Sequence, residues 1–367
     1  MKQQFGIITY LVCLLSSPPV WADIIIAAQG PLTGQDAPTG EQMQRGAEAA
    51  VAAINEAGGV LGQKLTLLIK DDACDPKQAV AVANEVSGAN VFAVVGPMCS
   101  GSAIPASKIY NEENIPMVSA SATSPSLTEQ GYTNVFRTCG RDDQQGAVIA
   151  DLIEKKYKVK NIALVHDKTA YGQGLADVVK KDLNQKGIEE HLYESISRGE
   201  RDFSTLISKL KQNNIDVIFY GGYHTEAGLM VRQMRDQGLK TVFIGDDDLT
   251  TREFWSITGE AGNGSLMSFN PDPRLRPEAA DAVKHIRASG FDPEGTTLYS
   301  YAAVQVLAEA LKRAGTVDQT KVIAALHQGS YSTVIGSLAF DKKGDVTNPD
   351  YIIYQWTKGA YAPYEGL

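Results

Sequence analysis

Short apolar runs alternate with amphipathic segments along almost the whole chain, and this alternation limits the possible folds more than any other feature. Ile24 to Ala28, Leu65 to Lys70, Val91 to Val95 and Pro116 to Ser119 read as strands. Between them, Gln42 to Glu56 places Met43, Ala47, Ala50, Val51 and Ile54 on one face of a helix that Gly58-Gly59 stops. Pro76 opens a second helix through Val86, with Asp75 as its N-cap, and Ile104, Ala106 and Ile109 suggest a third. Such connections are too long for hairpins, so the strands run parallel with helices on both faces, entered by right-handed crossovers. After Val135 to Thr138 the pattern restarts. Strands are expected at Asn161–His166, His191–Ser195, Asp216–Tyr220 and Thr241–Ile244, and helices at Gly172–Lys186, Phe203–Lys211 and Thr225–Gln237, so every strand but the last is followed by a helix. Ser265–Phe269, three helices (277–288, 297–313, 319–327) and two strand-like runs (336–340, 351–356) remain. A chain of 367 residues exceeds one core, so the expected fold class is α/β, two doubly wound parallel-sheet lobes, with the remainder returning to the first lobe.

The opening residues obey a different rule. Met1-Lys2 is a short basic start, Phe5 to Leu15 is mostly apolar, and Val20-Trp21-Ala22 has the form of a signal-peptidase site. Residues 1–22 therefore read as a secretory signal peptide and Asp23 as the mature start. Val12 is not the small residue that lipid attachment at Cys13 prefers. Without the leader the chain carries 33 basic and 43 acidic residues, a net charge of −10. That balance argues against nucleic acid or an anionic membrane as partner, since both reward basic patches. Export makes disulfides possible, and three cysteines remain, so at least one has no partner within the chain.

Function concentrates in Val91 to Ser102, VFAVVGPMCSGS. A strand ends at Gly96-Pro97, and Cys99, Ser100, Gly101 and Ser102 lead into a helix. In an open α/β sheet ligands bind at such loops, because the helix start offers unpaired N–H groups to an anion; an ordinary strand-to-helix turn has the same pattern. Catalysis finds little support. No Gly-x-Ser-x-Gly elbow surrounds Ser100, the five histidines show no His-Glu-x-x-His, the cysteines show no Cys-x-x-Cys, and Gly172-Gln173-Gly174 lacks a third glycine. No metal and no cofactor are expected. A DNA-binding regulator would need a helix-turn-helix and a basic surface, and the chain offers neither.

Five segments, DDACDPKQAVAVAN (71–84), PASKIYNEE (105–113), VHDKTAYGQGLA (165–176), DFSTLISKLKQNNID (202–216) and YGGYHTEAG (220–228), closely resemble the branched-chain amino-acid binding proteins of bacterial ABC importers. The resemblance implies a type I periplasmic binding protein with two lobes, three hinge crossings and one ligand in the cleft between them. It places the lobes at 23–141 plus 271–350 and 142–270 plus 351–367. It further implies a periplasmic monomer that takes a small amino acid of the Leu/Ile/Val class and delivers it to an inner-membrane ABC permease. It pairs Cys74 with Cys99, worth about 3–4 kcal/mol in the chain-entropy model, and leaves Cys139 as a buried thiol. The family's carboxylate-binding Ser falls on Ser100, its Thr that touches both ends of the ligand on Thr123, and its backbone acceptor for the ammonium on Ser121. Its aromatic wall falls on Tyr171 and Tyr223.

This chain departs from the family at several of these positions. Where the family has a Glu for the ammonium, this chain has Asp247, within Asp246-Asp247-Asp248 and one methylene shorter. An aromatic beside the side-chain pocket becomes Thr39, a Leu becomes Met98, and an Ala becomes Ser121. Losing a ring widens the pocket, so γ-aminobutyrate, Ala and Pro compete with Leu, Ile and Val. An amide or amino-acid sensor of the same fold shares the pattern.

Overall fold

In a computed structural model, residues 23–158 and 160–366 are described. The leader read over residues 1–22, with Cys13 inside it, lies outside them. Strands β1 (Ile24–Gly30), β2 (Leu65–Asp71), β3 (Ala93–Val95), β4 (Met117–Ser119) and β5 (Val135–Arg137) form a parallel sheet in the order β2-β1-β3-β4-β5. Helices α1 (Ala37–Glu56), α2 (Pro76–Gly88) and α3 (Ser100–Glu112) connect its strands. The Asp75 side chain caps α2 by accepting from the Lys77 and Gln78 N–H groups, as the sequence predicts.

Helix α1 begins five residues before the expected Gln42, because Pro38 fits its first turn and Gly40 lets the chain pass Pro31. A Cβ at Gly40 would lie 1.5 Å from the Pro31 carbonyl oxygen. Thr39 is therefore helical and shares a face of α1 with Gln42.

The chain crosses to the second lobe through α4 (Asp142–Tyr157), followed by β6 (Ile162–His166), α5 (Ala170–Gln185), β7 (Leu192–Ser195), α6 (Ser204–Gln212), β8 (Val217–Gly221), α7 (His224–Asp236), β9 (Val242–Gly245), α8 (Arg252–Thr258) and β10 (Leu266–Phe269). Helices α4 and α8 were not anticipated from the sequence, so the strand expected to lack a following helix has one. In α4 the opening Asp-Asp-Gln-Gln-Gly hides the helical period. Its Gly146 packs against α5, where a Cβ would meet Val178 Cγ1 at 2.6 Å.

The chain then returns to the first lobe as α9 (Ala280–Ala288), α10 (Thr297–Ala314), α11 (Gln319–Leu326) and the antiparallel pair β11 (Ser330–Thr333) and β12 (Gly336–Ala339). Helix α10 packs against α1 and α11, which buries most of its residues. A third crossing brings β13 (Ile352–Thr357) and β14 (Ala360–Pro363) to the second sheet, whose order is β14-β13-β10-β9-β8-β6-β7. The second sheet is therefore not wholly parallel. Strand β13 enters from the opposite end and pairs antiparallel with β10, and β14 folds back on β13.

Cys74 and Cys99 are joined, with Cα atoms 5.6 Å apart, and Cys139 is a buried free thiol. Replacing both Cys74 and Cys99 by Ser is expected to lower the unfolding free energy by about 3–4 kcal/mol, read as a lower urea midpoint. An unmoved midpoint would show that the bridge does not restrain the unfolded chain.

Candidate ligand site between the lobes

Thr39, Met98, Ser100, Ser121, Tyr171, Tyr223 and Asp247 line one cavity. All but Thr39 follow the carboxyl end of a strand, three in the first sheet and three in the second, which is where open α/β sheets bind ligands. Thr123 is not on the wall. It is buried behind it, its hydroxyl without a hydrogen-bond partner among the described residues. Gln42, Asp248, Thr250 and Thr296 complete the lining and were missed from the sequence. The available signals were Gln42 one helical turn beyond Thr39 and Asp248 beside Asp247.

On the first lobe, Ser100 is the first residue of α3, and no side chain caps that helix, which leaves its first N–H groups free for an anion. The Ser100 hydroxyl accepts from the Ser124 N–H at 3.2 Å, so its own proton is available to donate. Ser119 donates to the Pro97 carbonyl at 2.7 Å and accepts from the Ala122 N–H at 3.0 Å, joining the Met98 loop to the Ser121 loop. Arg137, fully buried, holds the same segment. Its guanidinium donates to the carbonyls of Ala122 (2.7 Å) and Ser124 (3.1 Å) on either side of Thr123, and pairs with Asp345 at 2.7 Å.

On the second lobe, Asp247 Oδ1 accepts from the Tyr171 hydroxyl at 2.5 Å and from Gln145 Nε2 at 2.9 Å. Its Oδ2 has no protein donor among the described residues. Burial pushes the Asp247 carboxyl up to about 6, with the Tyr171 hydrogen bond opposing the shift. Beneath it, Asp246 accepts from the Gly222 N–H at 2.9 Å, and burial holds its carboxyl well above the usual range. Asp248 Oδ2 lies 2.7 Å from His224 Nδ1; burial works most strongly against the imidazolium, but the charge and hydrogen bond of Asp248, with the charges of Asp36 and Glu253, together outweigh it and raise His224. Asp142, at the first crossing, is lifted to about 8 by burial.

Several contacts close the lobes over the cavity, among them the Arg252 backbone N–H donating to Glu294 Oε1 at 3.1 Å. Arg198, beyond β7, pairs with Asp36 ahead of α1 and stacks 4.0 Å above the Tyr223 ring. Gln35 Nε2 donates to Glu226 Oε1 at 2.8 Å, and the Tyr223 hydroxyl lies 3.5 Å from the Cys74 sulfur, to which it alone can donate. Asp36 stands close to both bridge sulfurs, yet these are bonded to each other and offer no thiolate to a metal.

The family model described as periplasmic binding protein matches residues 23–360. The chain belongs to the periplasmic binding protein family. This periplasmic binding protein is 51% identical over 345 residues to Leu/Ile/Val-binding protein homolog 1 of Brucella melitensis, covering 94% of this chain and 93% of that one. It is 48% identical to the amino acid binding protein of Pseudomonas aeruginosa, over 93% and 92% of the two chains. Among solved structures, a leucine binding protein of Thermotoga maritima superposes with a TM-score of 0.85 at 26% identity, over 93% of this chain and 97% of that one. A branched-chain amino acid substrate binding protein of Streptococcus pneumoniae in complex with isoleucine gives 0.85 at 26% identity, over 92% and 97%.

Two outcomes follow from this geometry. A cationic group of a ligand placed against Asp247 would favour its ionised form, so affinity for such a ligand is expected to hold above pH 7 and fall toward tenfold per unit as pH drops through about 6. Titration calorimetry from pH 5 to 8 checks this, and a flat profile would remove Asp247 as the ammonium partner. Arg198→Ala breaks a contact that bridges the two lobes, and should weaken every ligand by a similar factor, about 2–5 kcal/mol. Unequal losses across a ligand series would place Arg198 in recognition instead.

Proposed function

We propose that this chain is a periplasmic solute receptor. It captures a small aliphatic amino acid of the Leu/Ile/Val class between its lobes and delivers it to an ABC importer, without catalysing any reaction. The observation that carries this reading is that Ser100 at a helix start and Asp247 on the opposite lobe face one cavity. Each charge of a zwitterion costs several kcal/mol to desolvate without a partner, and these two groups supply the complementary charge-assisted bonds. Ser100 serves the carboxylate with Thr123 buried behind the wall, the Ser121 carbonyl and Asp247 the ammonium, Tyr171 and Tyr223 the wall, and Thr39 and Met98 the side chain. The hinges fall at 141/142, 270/271 and 350/351, and closure about them is what the permease recognises. The shorter Asp247 and the missing ring at Thr39 favour a second reading in which γ-aminobutyrate, Ala or Pro is the ligand.

Thermal unfolding of ligand-stripped protein across an amino-acid panel tests the reading, because a bound ligand raises the midpoint by mass action. Asp247→Ala is expected to cost about 3–5 kcal/mol of binding, as for a broken buried pair, and Ser100→Ala about 1–3 kcal/mol. A panel that moves no midpoint, or Asp247→Ala with wild-type affinity, would overturn it.

A further inference from the structure

Gln42 is 2% exposed and lines the cavity on the same face of α1 as Thr39. Its amide has only one possible orientation. The Thr296 backbone N–H lies 2.9 Å from Oε1 and can only donate, and the Thr296 hydroxyl lies 3.2 Å from the same oxygen. The nitrogen Nε2 therefore points away from Thr296, carrying two N–H groups and no protein acceptor among the described residues. Gly295, at φ +52°, leaves room for the amide, since a Cβ there would meet Oε1 at 2.3 Å. The neighbouring lining is polar as well. Thr39 and Thr250 contribute hydroxyls, Asp248 keeps Oδ1 without a donor among the described residues, and Met98 is the one aliphatic side chain on the wall.

We propose that Gln42 is a specificity-determining residue whose Nε2 donates to an oxygen on the ligand side chain. The site then favours an amino acid bearing a hydroxyl or carboxamide over a hydrocarbon one of the same shape. The proposal rests on the amino-acid receptor reading and moves its preferred ligand from the hydrocarbon Leu/Ile/Val side chains to their polar analogues. Shape alone separates neighbouring aliphatic ligands weakly, whereas a hydrocarbon placed against Nε2 leaves buried N–H groups unpaired, and that penalty creates discrimination.

Two nearly isosteric pairs, Val with Thr and Leu with Asn, test the proposal by calorimetry on the mature protein after bound ligand has been stripped. In at least one pair the polar member is expected to bind about tenfold tighter, and the pair that shows it locates the oxygen at the β or γ carbon. Gln42→Leu should abolish the preference while the hydrocarbon member binds as well as before or better. Gln42→Met, which keeps the length but can neither donate nor accept strongly, should abolish it too, and it serves as the second variant if the first fails to fold. Tighter binding of the hydrocarbon member in both pairs, or an unchanged ratio in either variant, overturns the proposal while leaving the receptor reading intact. Binding of none of the four overturns the proposal, and the receptor reading falls with it only if γ-aminobutyrate, Ala and Pro also fail to bind.

Discussion

The buried guanidinium of Arg137 is the interaction on which the first lobe's half of the cavity depends. A cation without solvent must have its donors satisfied, and here the partners are two carbonyls of the ligand loop, the Thr128 hydroxyl and the Asp345 carboxylate. Asp345 comes from the segment after β12, more than 200 residues along the chain, and it also pairs with Arg141 at 2.7 Å, next to the first crossing. One charge network thus fixes the loop carrying Ser121 and Thr123 and anchors the point where the chain leaves the lobe. The loop does not have to be ordered at the moment of capture, so that cost is already met on folding.

The second lobe works in the opposite sense. Its carboxylates at 246, 247 and 248, with Asp142 nearby, are crowded in a place with little water, and burial raises three of them. His224 answers Asp248, but nothing cationic among the described residues contacts Asp247, whose hydrogen bonds come from neutral groups. An ammonium at this point relieves an unfavourable arrangement as well as forming a bond. Closure then adds the Arg198–Asp36 pair, so the closed state gains charge compensation at two separate places.

The alternation of strands and helices was legible because it is a local property, and Asp75, Pro76 and Gly58-Gly59 marked boundaries by their own backbone preferences. Helix α4 was not legible, since its polar first turn and Gly146 make sense only against Val178 of α5. The antiparallel entry of β13 was hidden for a similar reason: strand direction depends on which side the chain arrives from, and its residues look the same either way. At the site, residues with a charge or ring at a resemblance-matched position stood out. Gln42 and Thr296 did not, because a glutamine on a helix and a threonine before one are unremarkable until the fold sets them 2.9 Å apart across 254 positions.

Helix α1 contributes Thr39 and Gln42 to the cavity, while Asp247 and both aromatic rings belong to the other lobe. On the proposed reading, the part of the protein that distinguishes one side chain from another is physically separate from the part that recognises an amino group and from the contacts across the lobes. Such a receptor can be retuned from a single helical turn, so a sensor for a different amino acid could be drawn from this scaffold by varying Thr39 and Gln42 with the hinges and latch left as they are.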